Sequence, residues 1–525
     1  AMTLHALNEA LASSSVGQLG GSLLLCATVA AALGLFFTTR RRRCPVDVPA
    51  LPGLPFLGSG LSYFASPAKF LLEAKKRYNN APFFLRCFGH EWIIVSDRRD
   101  CRSLLSLPER TGSMVQANAD LAGFALPAGT FEFGKEENGS NHVSNTPIIA
   151  HSVRPAVLKA WEPTLKVRIA AKLDNLPNTG TLDLFSFCRD VISDVTVTVL
   201  LGKKACEDEK LKLDLVGLFL EADPESGFHS PLVAIRAYLE SKVLGERRIY
   251  AKIRELLYPI VDDAIEDAIS GTPRSSEEVT VVSSFARLFY ERKCDSNPDK
   301  LRSKRGDIAD NVFTFFFAAF SNSFAMAAWT LYHIVENTNG IGDRVHAAID
   351  NSDGNRVVEL ERCILEISRL YTPSTVLRKL LRPWTIPSTQ TTLPIGTTVG
   401  MSFYSYSRDP DIFPNPLDFE PRRYDKRSNG GGCESEMVGF GSGGHPCPGK
   451  KFAMLEIALF VVGILKQLEL KAVGKDNNGM EEEDKRDAFS VASFSVPKHH
   501  PEVDISQAGF IWRPVKPVLV EYTQR

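Results

Sequence analysis

The sequence predicts a mainly α-helical domain with small β-sheets, preceded by one N-terminal transmembrane helix. Three observations lead to this fold class. Residues 17–37 form an uncharged, apolar run. Helical periodicity dominates residues 147–336 and returns in a later block. The strand-like runs are short and do not alternate regularly with helices, which argues against a parallel βαβ sheet.

Composition sets further limits on function. With 525 residues, of which 44% are apolar, the chain can bury a large core. Its net charge of -1 gives no overall field that would favour nucleic acid as a partner. The ten cysteines include no CxxC pair, which indicates a reducing compartment and mostly buried free thiols.

The N-terminal run, "GQLGGSLLLCATVAAALGLFF", has the length of a membrane span, since a helix of this length covers about 30 Å. Four arginines follow at 40–43 and no Lys or Arg precedes it, so the next domain should be cytoplasmic. A cleaved signal peptide, the alternative, would have a shorter apolar region with basic residues first. We expect a lumenal N-terminus (1–16), an anchor (17–39), a basic, proline-rich hinge (40–60) and a catalytic domain (61–525).

The elements of the catalytic domain follow in chain order. Residues 82–97, "PFFLRCFGHEWIIVSD", predict a β-hairpin. The polar stretch 117–145 predicts a long loop. Helices should fill 147–336, and a second helical block contains "VVELERCILEISRLY". Strand-like and proline-rich segments come next, then one helix to about residue 468 and the final strands.

The segment "FGSGGHPCPGKKFA", residues 440–453, places Cys447 among four glycines, directly before an apolar helix pattern. Zinc would need further ligands at regular spacing. A buried structural cysteine would explain neither the glycines nor the helix start. A helix N-terminus favours a thiolate, and glycines allow a flat ligand to approach the backbone. Both features favour axial ligation of a haem iron, where the sulfur donates electron density that helps to split the O–O bond.

This segment resembles the haem-binding pattern of the cytochrome P450 family, F-x-x-G-x-[RH]-x-C-x-G-x-x-x-A. The matching positions are Phe440, Gly443, His445, Cys447, Gly449 and Ala453. The resemblance implies a cytochrome P450 fold and haem b on the Cys447 thiolate, with Phe440, Gly441 and Gly449 beside it. It also implies location in the endoplasmic reticulum membrane and electrons from NADPH through a flavoprotein reductase.

A second motif lies in "LEISRL", where Glu366 and Arg369 share one helix face. Taken alone, such a pair is usually a solvated surface contact of little energetic value. The two residues match the family's E-x-x-R, and Arg423 of "FEPRRY" matches its third member. The resemblance therefore implies a buried structural network of these three residues behind the haem, in which every charge must be paired.

The haem propionates require cations, and the resemblance assigns Arg378 and His445 to them, the latter in place of a commoner arginine. His151 and Arg154, in "AHSVRPAVL", correspond to the family helix that contacts the other propionate. A surface position is the open alternative for His151.

The family's central helix carries A/G-G-x-D/E-T above the haem. Here "AFSNS", residues 319–323, places Asn322 at the acid position and Ser323 at the alcohol position. A branch of the family that includes steroid 7α-hydroxylase and prostacyclin synthase has Asn there and Trp seven residues later, which corresponds to Trp329. We expect Asn322 and Ser323 to order the water that delivers protons to oxygen, since both side chains donate and accept hydrogen bonds.

The resemblance also marks positions that line the substrate pocket, and these are Phe320, Val376, Leu377, Phe510 and Ile511. Apolar walls and a membrane anchor predict a lipophilic substrate such as a steroid, terpenoid, fatty acid derivative or polyketide. Its partners would be O2, the reductase and the membrane, with no nucleic acid.

Three functions remain open at this point. The first is a monooxygenase that receives electrons from NADPH. The second is a haem-thiolate isomerase or dehydratase of the prostacyclin synthase type, which needs no external electrons. The third is a non-catalytic haem-binding protein. Lys450 and Lys451 lie where the family docks its reductase, although two solvated side chains are an equally simple interpretation.

Overall fold

The computed structural model describes residues 48–53, 58–87, 89–122, 127, 150–151, 153–222, 240, 243–244, 248–271, 279–352, 357–425, 436, 439–473, 501–504 and 511–525. The predicted lumenal segment and anchor, most of the predicted 117–145 loop, and Phe510 lie outside these residues. The two-part division into hinge and catalytic domain stays a prediction.

The described helices, in chain order, are α1 (Gly60–Ala65), α2 (Pro67–Arg77), α3 (Arg98–Leu105), α4 (Met114–Ala122), α5 (Pro155–Asp174), α6 (Leu184–Leu201), α7 (Lys203–Glu207), α8 (Glu209–Ala222), α9 (Arg248–Ser270), α10 (Val281–Lys293), α11 (Pro298–Ser303), α12 (Arg305–Val335), α13 (Ile341–Asp350), α14 (Val358–Tyr371), α15 (Phe403–Ser407) and α16 (Lys450–Gln467).

The described strands are β1 (Phe83–Cys87), β2 (His90–Ile94), β3 (Gly112–Ser113), β4 (Thr179–Asp183), β5 (Thr375–Leu380), β6 (Trp384–Thr385), β7 (Thr392–Leu393), β8 (Thr398–Ser402), β9 (Leu468–Ala472) and β10 (Leu519–Gln524). They form a five-stranded sheet in the order β1-β2-β8-β5-β3, a three-stranded sheet β4-β10-β9 and the pair β6-β7. The predicted mainly helical fold with small sheets is confirmed.

Helix α12 lies at the centre of the helical part. It packs against α6, α9, α14 and α16, and its apolar side chains belong to the largest hydrophobic cluster. Among the described residues it is the one helix long and apolar enough to cross a bilayer, but 78% of its apolar window is buried inside the fold. Its apolar composition is therefore that of a core helix, which is hydrophobic all round.

The predicted hairpin at 82–97 is confirmed by antiparallel pairing of β1 with β2. The described part of the predicted hinge joins the same sheet. The Phe84 N–H donates to Pro49 O (2.8 Å) and the Ser59 N–H donates to Arg86 O (2.8 Å). Proline is tolerated along a sheet edge because its missing N–H then costs no ladder bond. The described residues 49–51 and 58–59 thus lie along β1.

The prediction of a loop from residue 117 is wrong at its start, because α4 extends to Ala122. The Glu109 carboxylate explains this helix. It accepts the Met114 N–H (3.0 Å) and the Val115 N–H (3.2 Å), and the Ser113 hydroxyl accepts the Gln116 N–H (3.0 Å). These side chains satisfy the free N–H groups of the first helical turn, as a local helix cap does.

Candidate active site

Cys447 lies in a tight loop directly before α16. Its N–H donates to Phe440 O (2.7 Å), and the loop turns at Gly441 and Gly443, with φ of 71° and 66°. A side chain at either glycine would strain this left-handed backbone. Six other cysteines in the described part of the chain are buried, whereas Cys447 is exposed. Among the cysteines that the structure describes, the one that the sequence predicts as a ligand is therefore the accessible one.

The electrostatic surroundings of the Cys447 thiol act in two directions. Burial among protein atoms raises its pKa, and the backbone N–H groups of Gly449 and Lys450 lower it again. The thiol is thus reached by solvent although protein surrounds it closely, as at the floor of a cleft. The N–H groups at the start of α16 lower the pKa of the thiol, as predicted, but by less than burial raises it. A coordinated metal ion would complete the deprotonation.

The glycines of the loop have a different role from the predicted one. A Cβ at Gly443 would lie 2.3 Å from Leu105 O, so this glycine lets the loop pack on backbone rather than on a ligand. A Cβ at Gly441 would lie 2.6 Å from His445 O, within the loop itself. At Gly449 the nearest atom would be Cys447 Sγ, at 3.9 Å. Open space therefore lies beside the sulfur, where a flat ligand would bind.

The structure brings Glu366, Arg369 and Arg423 together; the side chains of the first two are fully buried and that of Arg423 is 7% exposed. Arg369 binds both carboxylate oxygens of Glu366 (2.8 and 2.9 Å), and Arg423 Nε donates to Oε1 (2.9 Å). The Tyr424 hydroxyl and the Glu420 N–H complete the set. Burial alone would raise the pKa of Glu366, but the charges of Arg369 and Arg423 hold it below its ordinary value.

The helix that carries this network also contacts the start of the cysteine loop. Arg369 Nη1 donates to Ser407 O (2.8 Å) and Pro416 O (2.7 Å), which ties α14 to residues 407–416 of the chain that precedes the loop. At the loop entrance, a Cβ on Gly439 would lie 1.9 Å from Ser368 Oγ. The loop is therefore pressed against α14 at the residue next to Arg369.

Two predicted cationic residues lie close to each other near the loop. Arg378, on β5, is 1% exposed, and its Nη1 donates to Leu377 O (3.0 Å) while its Nε has no hydrogen-bond partner. Burial lowers its pKa to about 10, against the opposing charge of Glu109. His445 Nε2 lies 3.3 Å from Glu109 Oε2 without forming a hydrogen bond. Burial, and then the charge of Arg378, lower the His445 pKa.

These observations test whether the residues present fit a haem. A buried guanidinium with an unused N–H is costly unless an acceptor reaches it. The propionate of a haem held by Cys447 is such an acceptor, and an accessible thiol beside open space suits its iron. Cys447, Arg378 and His445 therefore fit the group.

His151 and Arg154 lie at the start of α5 and contact each other. Arg154 is exposed and His151 is half-buried. Burial lowers the pKa of His151, and the charges of Arg154, Arg292 and Glu291 also act on it; the last two lie on α10. None of the contacts described for these two residues involves the cysteine loop or Arg378. The described geometry favours the surface alternative for His151.

Helix α12 is open to solvent at one place in its buried length. Between Phe316 and Ile334 every residue is buried except Ala318, Ala319 and Asn322. Their spacing of three and four residues places them on one face. We call these three residues the accessible strip. Two alanines beside an amide leave room for a ligand in the middle of a core helix.

Asn322 and Ser323 do not act on the same space. Asn322 Nδ2 donates to Ala318 O (3.2 Å) and its Oδ1 accepts the Ile511 N–H (3.2 Å). Ser323 is 2% exposed, and its hydroxyl lies beside the Glu456 carboxyl of α16. Successive helical side chains point about 100° apart, and here Asn322 lies on the strip while Ser323 is directed towards α16. The predicted joint role of the pair stays a prediction.

Glu456 is a buried acid that the sequence analysis missed. Its side chain is fully buried and accepts a hydrogen bond from Thr196 Oγ1 (2.7 Å), while its Oε2 has no hydrogen-bond partner. Burial raises its pKa to about 8, and neighbouring Thr196 and Ser323 only partly offset this rise. The available signal was one glutamate inside the apolar run "MLEIALFVV".

The predicted pocket residues lie in different places. Phe320 is buried in an aromatic row with Phe316 and Phe324 (ring centroids 5.4 and 5.3 Å apart), away from the accessible strip. Leu377 is 3% exposed and belongs to the apolar cluster under the five-stranded sheet. The assignment of both to the pocket stays a prediction. Alternation along β5 places Val376 on the face of Arg378 and Leu377 on the other face.

Two lysines follow the cysteine loop on the first turn of α16. The Lys450 ammonium lies 5.7 Å from the centroid of the Phe440 ring, and Lys451 is exposed. Cations in the first turn of a helix oppose its dipole, so their position is not explained by helix stability.

Comparison with known proteins agrees with this site. The family description "Cytochrome P450" matches residues 145–496. The chain is 21% identical to human 24-hydroxycholesterol 7-alpha-hydroxylase over 82% of this chain and 89% of that protein, and 22% identical to mouse cytochrome P450 7B1 over 89% and 93%. These relatives support the resemblance to the steroid 7α-hydroxylase branch.

A solved structure, retinoic acid bound cyanobacterial CYP120A1, superposes with a TM-score of 0.67 at 19% identity, covering 91% of this chain and 100% of that one. This likeness shows the shared fold. Because the family match covers well over half of the sequence and contains the Cys447 loop, the chain belongs to the cytochrome P450 family of haem-dependent monooxygenases.

Proposed function

We propose that this cytochrome P450 inserts one oxygen atom from O2 into a lipophilic, sterol-like substrate by hydroxylation or epoxidation. One observation carries the proposal. An accessible thiol has near its loop a buried guanidinium whose Nε lacks a hydrogen-bond partner, and an otherwise buried helix carries an accessible strip. Helix α16, which begins at the cysteine loop, packs against α12, which carries the strip. Haem, when bound, supplies the activation of O2 and the oxygen transfer.

The residues of the chain divide the remaining work. Cys447 holds the iron, and Arg378 and His445 bind the propionates. The network of Glu366, Arg369 and Arg423 fixes the loop that carries the thiol. Ala318 and Ala319 leave space for the substrate above that loop.

Asn322 contributes a hydrogen-bond donor to this space. Its Oδ1 and one N–H of its amide are used by Ile511 and Ala318. An amide NH2 group has two N–H bonds, so the second N–H can hold a water molecule or an oxygen atom of the bound ligands. The Asn322 amide can hold a proton-donating water molecule in place, but it does not ionise and so releases no proton itself.

The substrate class follows from relatives and from the residues of the site. Human 24-hydroxycholesterol 7-alpha-hydroxylase acts on a hydroxylated sterol by its name. The accessible strip offers two methyl groups and one amide, which suits a large apolar molecule with few polar groups. We therefore propose a sterol rather than a fatty acid or polyketide.

Electron supply and location complete the proposal. Lys450 and Lys451 form a cationic start of α16 beside the thiol, where an acidic reductase surface that delivers electrons from NADPH would dock. The apolar residues 17–39 would anchor the chain in the endoplasmic reticulum membrane, with residues 61–525 as the cytosolic catalytic domain. A sterol would then reach the site from the bilayer.

One observation favours a second function. The accessible strip contains an amide and neither a hydroxyl nor a carboxyl group, because the Ser323 side chain faces Glu456 instead. An isomerase or dehydratase of the prostacyclin synthase type rearranges an oxygen-rich substrate and needs no proton delivery to O2. The two functions differ in their need for external electrons.

The test uses the purified full chain, loaded with haem, and 24-hydroxycholesterol as the probe. We expect a product that is one oxygen atom heavier, formed only with NADPH and reductase. The variant Cys447→Ser should lose this product and the strongly red-shifted carbon monoxide band of a thiolate-bound haem. The matched control is Cys363→Ser, which changes a buried thiol on α14.

Two results would overturn the proposal. Full turnover of a lipid endoperoxide without NADPH and reductase would show that the protein is an isomerase instead. A Cys447→Ser variant that keeps both the band and the product would remove Cys447 as the iron ligand.

A further inference from the structure

The motif residues Asn322 and Trp329 both bind the same short C-terminal segment, residues 511–512. Asn322 Oδ1 accepts the Ile511 N–H (3.2 Å), and Trp329 Nε1 donates to Trp512 O (2.7 Å). The two side chains lie seven residues apart on α12, which is about two turns, so both project from one face. The seven-residue spacing of Asn322 and Trp329 therefore allows the two side chains to bind adjacent residues of one segment.

A third bond fixes the same segment from another side. The Trp512 N–H donates to Tyr371 O (2.9 Å), at the last residue of α14. Tyr371 also stacks on the Trp329 ring, with centroids 4.1 Å apart and planes 12° apart. Trp512 is 1% exposed. Stacked aromatic pairs and buried hydrogen bonds of this kind hold backbone in one position.

After Trp512 the chain forms a short ladder of backbone hydrogen bonds with residues 502–504. The Asp504 N–H donates to Arg513 O (2.9 Å) and the Val515 N–H donates to Glu502 O (2.8 Å). This ladder begins directly after Trp512, so its bonds do not fix Ile511. Among the described contacts, the backbone of Ile511 is held by Asn322.

The accessible strip makes this arrangement relevant to the substrate. Asn322 belongs to the strip and binds the Ile511 backbone directly, so the segment passes beside the open part of α12. Trp329 lies two turns further and is fully buried. A ligand on the strip therefore meets a wall whose position is set partly by a side chain that it cannot touch.

The geometry points to a two-point clamp in which Asn322 and Trp329 fix the 511–512 segment against α12, so that they act as positioning residues for the wall of the substrate pocket. This rests on the proposed function, since it takes the strip as the substrate side. It assigns the Asn and Trp of the branch motif a joint role in substrate selection. The role does not require Asn322 to donate a proton.

The first test measures amide hydrogen exchange in the haem-loaded full chain without substrate. Trp329→Phe and Asn322→Ala should each speed exchange at residues 511–512 by about fivefold to tenfold, the factor expected for loss of one hydrogen bond. The matched control is Thr330→Val, because Thr330 is equally buried but its hydroxyl donates only to Met326 O within α12. Exchange in α9 reports whether a variant has lost overall stability.

The second test separates positioning from a merely structural role. Imidazole binds the haem iron with little contact to the walls, whereas clotrimazole fills the pocket. Trp329→Phe should weaken clotrimazole binding about fivefold and leave imidazole binding unchanged, because the loosened wall must be ordered by the larger ligand. Thr330→Val should change neither.

Unchanged exchange at residues 511–512 in both variants would overturn the clamp. Equal effects of Trp329→Phe on the two azoles would overturn its role in shaping the pocket. Neither measurement uses the sterol or turnover, so a failure of sterol oxidation overturns the proposed function alone.

Discussion

The two sides of the thiol cleft use their polar groups differently. On the α14 side, the carboxylate of Glu366 is held by two arginines, a tyrosine and a backbone N–H, and Arg369 binds three further carbonyls. On the α12 side, one amide faces the cleft, and the nearby acid Glu456 keeps an oxygen without a hydrogen-bond partner. The first arrangement holds α14 and the chain before the cysteine loop in one geometry, while the second leaves a carboxyl oxygen on the α12 side without a hydrogen-bond partner among the described residues.

The largest effect is expected from breaking the α14 side. Arg369→Lys removes the bidentate contact to Glu366 and the bonds to Ser407 and Pro416, since a lysine ammonium cannot reproduce the planar fork. Disrupting one partner of a buried ion pair costs about 3–5 kcal/mol. We expect loss of haem capture and a lower midpoint of thermal unfolding. Haem content and calorimetry measure both.

A matched substitution on the same helix sharpens this prediction. Arg362→Lys changes a half-buried arginine of α14 that pairs with Glu359. It should bind haem like the unchanged protein, because a partly exposed pair contributes about 1 kcal/mol or less. If Arg369→Lys also retains haem and stability, the loop is not held by this network.

A smaller effect, visible as pH dependence, is expected at Glu456. Its pKa is raised by burial from 4.5 to about 8. Between these pH values the folded protein keeps a proton that the unfolded chain has released, so stability falls as pH rises through this range and then levels off. The loss is on the order of 3 kcal/mol between pH 5 and 8. Glu456→Gln should remove this slope, as measured by chemical unfolding across the pH range.

The control for this prediction is Glu255→Gln, on the exposed surface of α9. It should leave the slope unchanged. A Glu456→Gln variant whose unfolding free energy follows pH in parallel with the unchanged protein would show that Glu456 carries no retained proton.

The smallest effect is expected from Ser323→Ala. Because the hydroxyl lies beside Glu456 and lowers its pKa, the substitution should move the pH slope of stability towards higher pH. Its effect on peroxide release during turnover should stay well below the hundredfold that loss of a positioned proton donor gives. Asn322→Ala, by contrast, should increase peroxide release, because it empties the accessible strip of its hydrogen-bond donor. If peroxide release increases more in Ser323→Ala than in Asn322→Ala, Ser323 rather than Asn322 contributes to proton delivery.

The sequence was sufficient where a motif lies within one loop or one helix. The spacing of Phe440, His445 and Cys447, and of Glu366 and Arg369, identifies groups that local structure brings together without further information. The hairpin and the central helix follow from period alone. The position of α4 did not, because it depends on capping by the Glu109 carboxylate, which lies outside the helix.

The sequence was not sufficient where a side chain's direction decides its role. Asn322 and Ser323 are neighbours in the motif, but a helix turns them about 100° apart. Val376 and Leu377 are both apolar, but successive side chains of a strand point to opposite faces of the sheet. Glu456 has its partner Thr196 at a sequence separation of 260, and no local pattern reports that contact. The N-terminal anchor stays a prediction from composition.

The accessible strip has a consequence for how such a protein diverges. Most substitutions along α12 alter a packed core and are costly in stability, because interiors tolerate neither added nor lost volume well. Ala318 and Ala319 border open space instead, so larger side chains there would narrow the cavity without disturbing the core. Selection for a new substrate can therefore act on these two positions almost independently of selection for folding. Related enzymes can therefore change their substrate specificity at these two positions while the packing of α12 is kept.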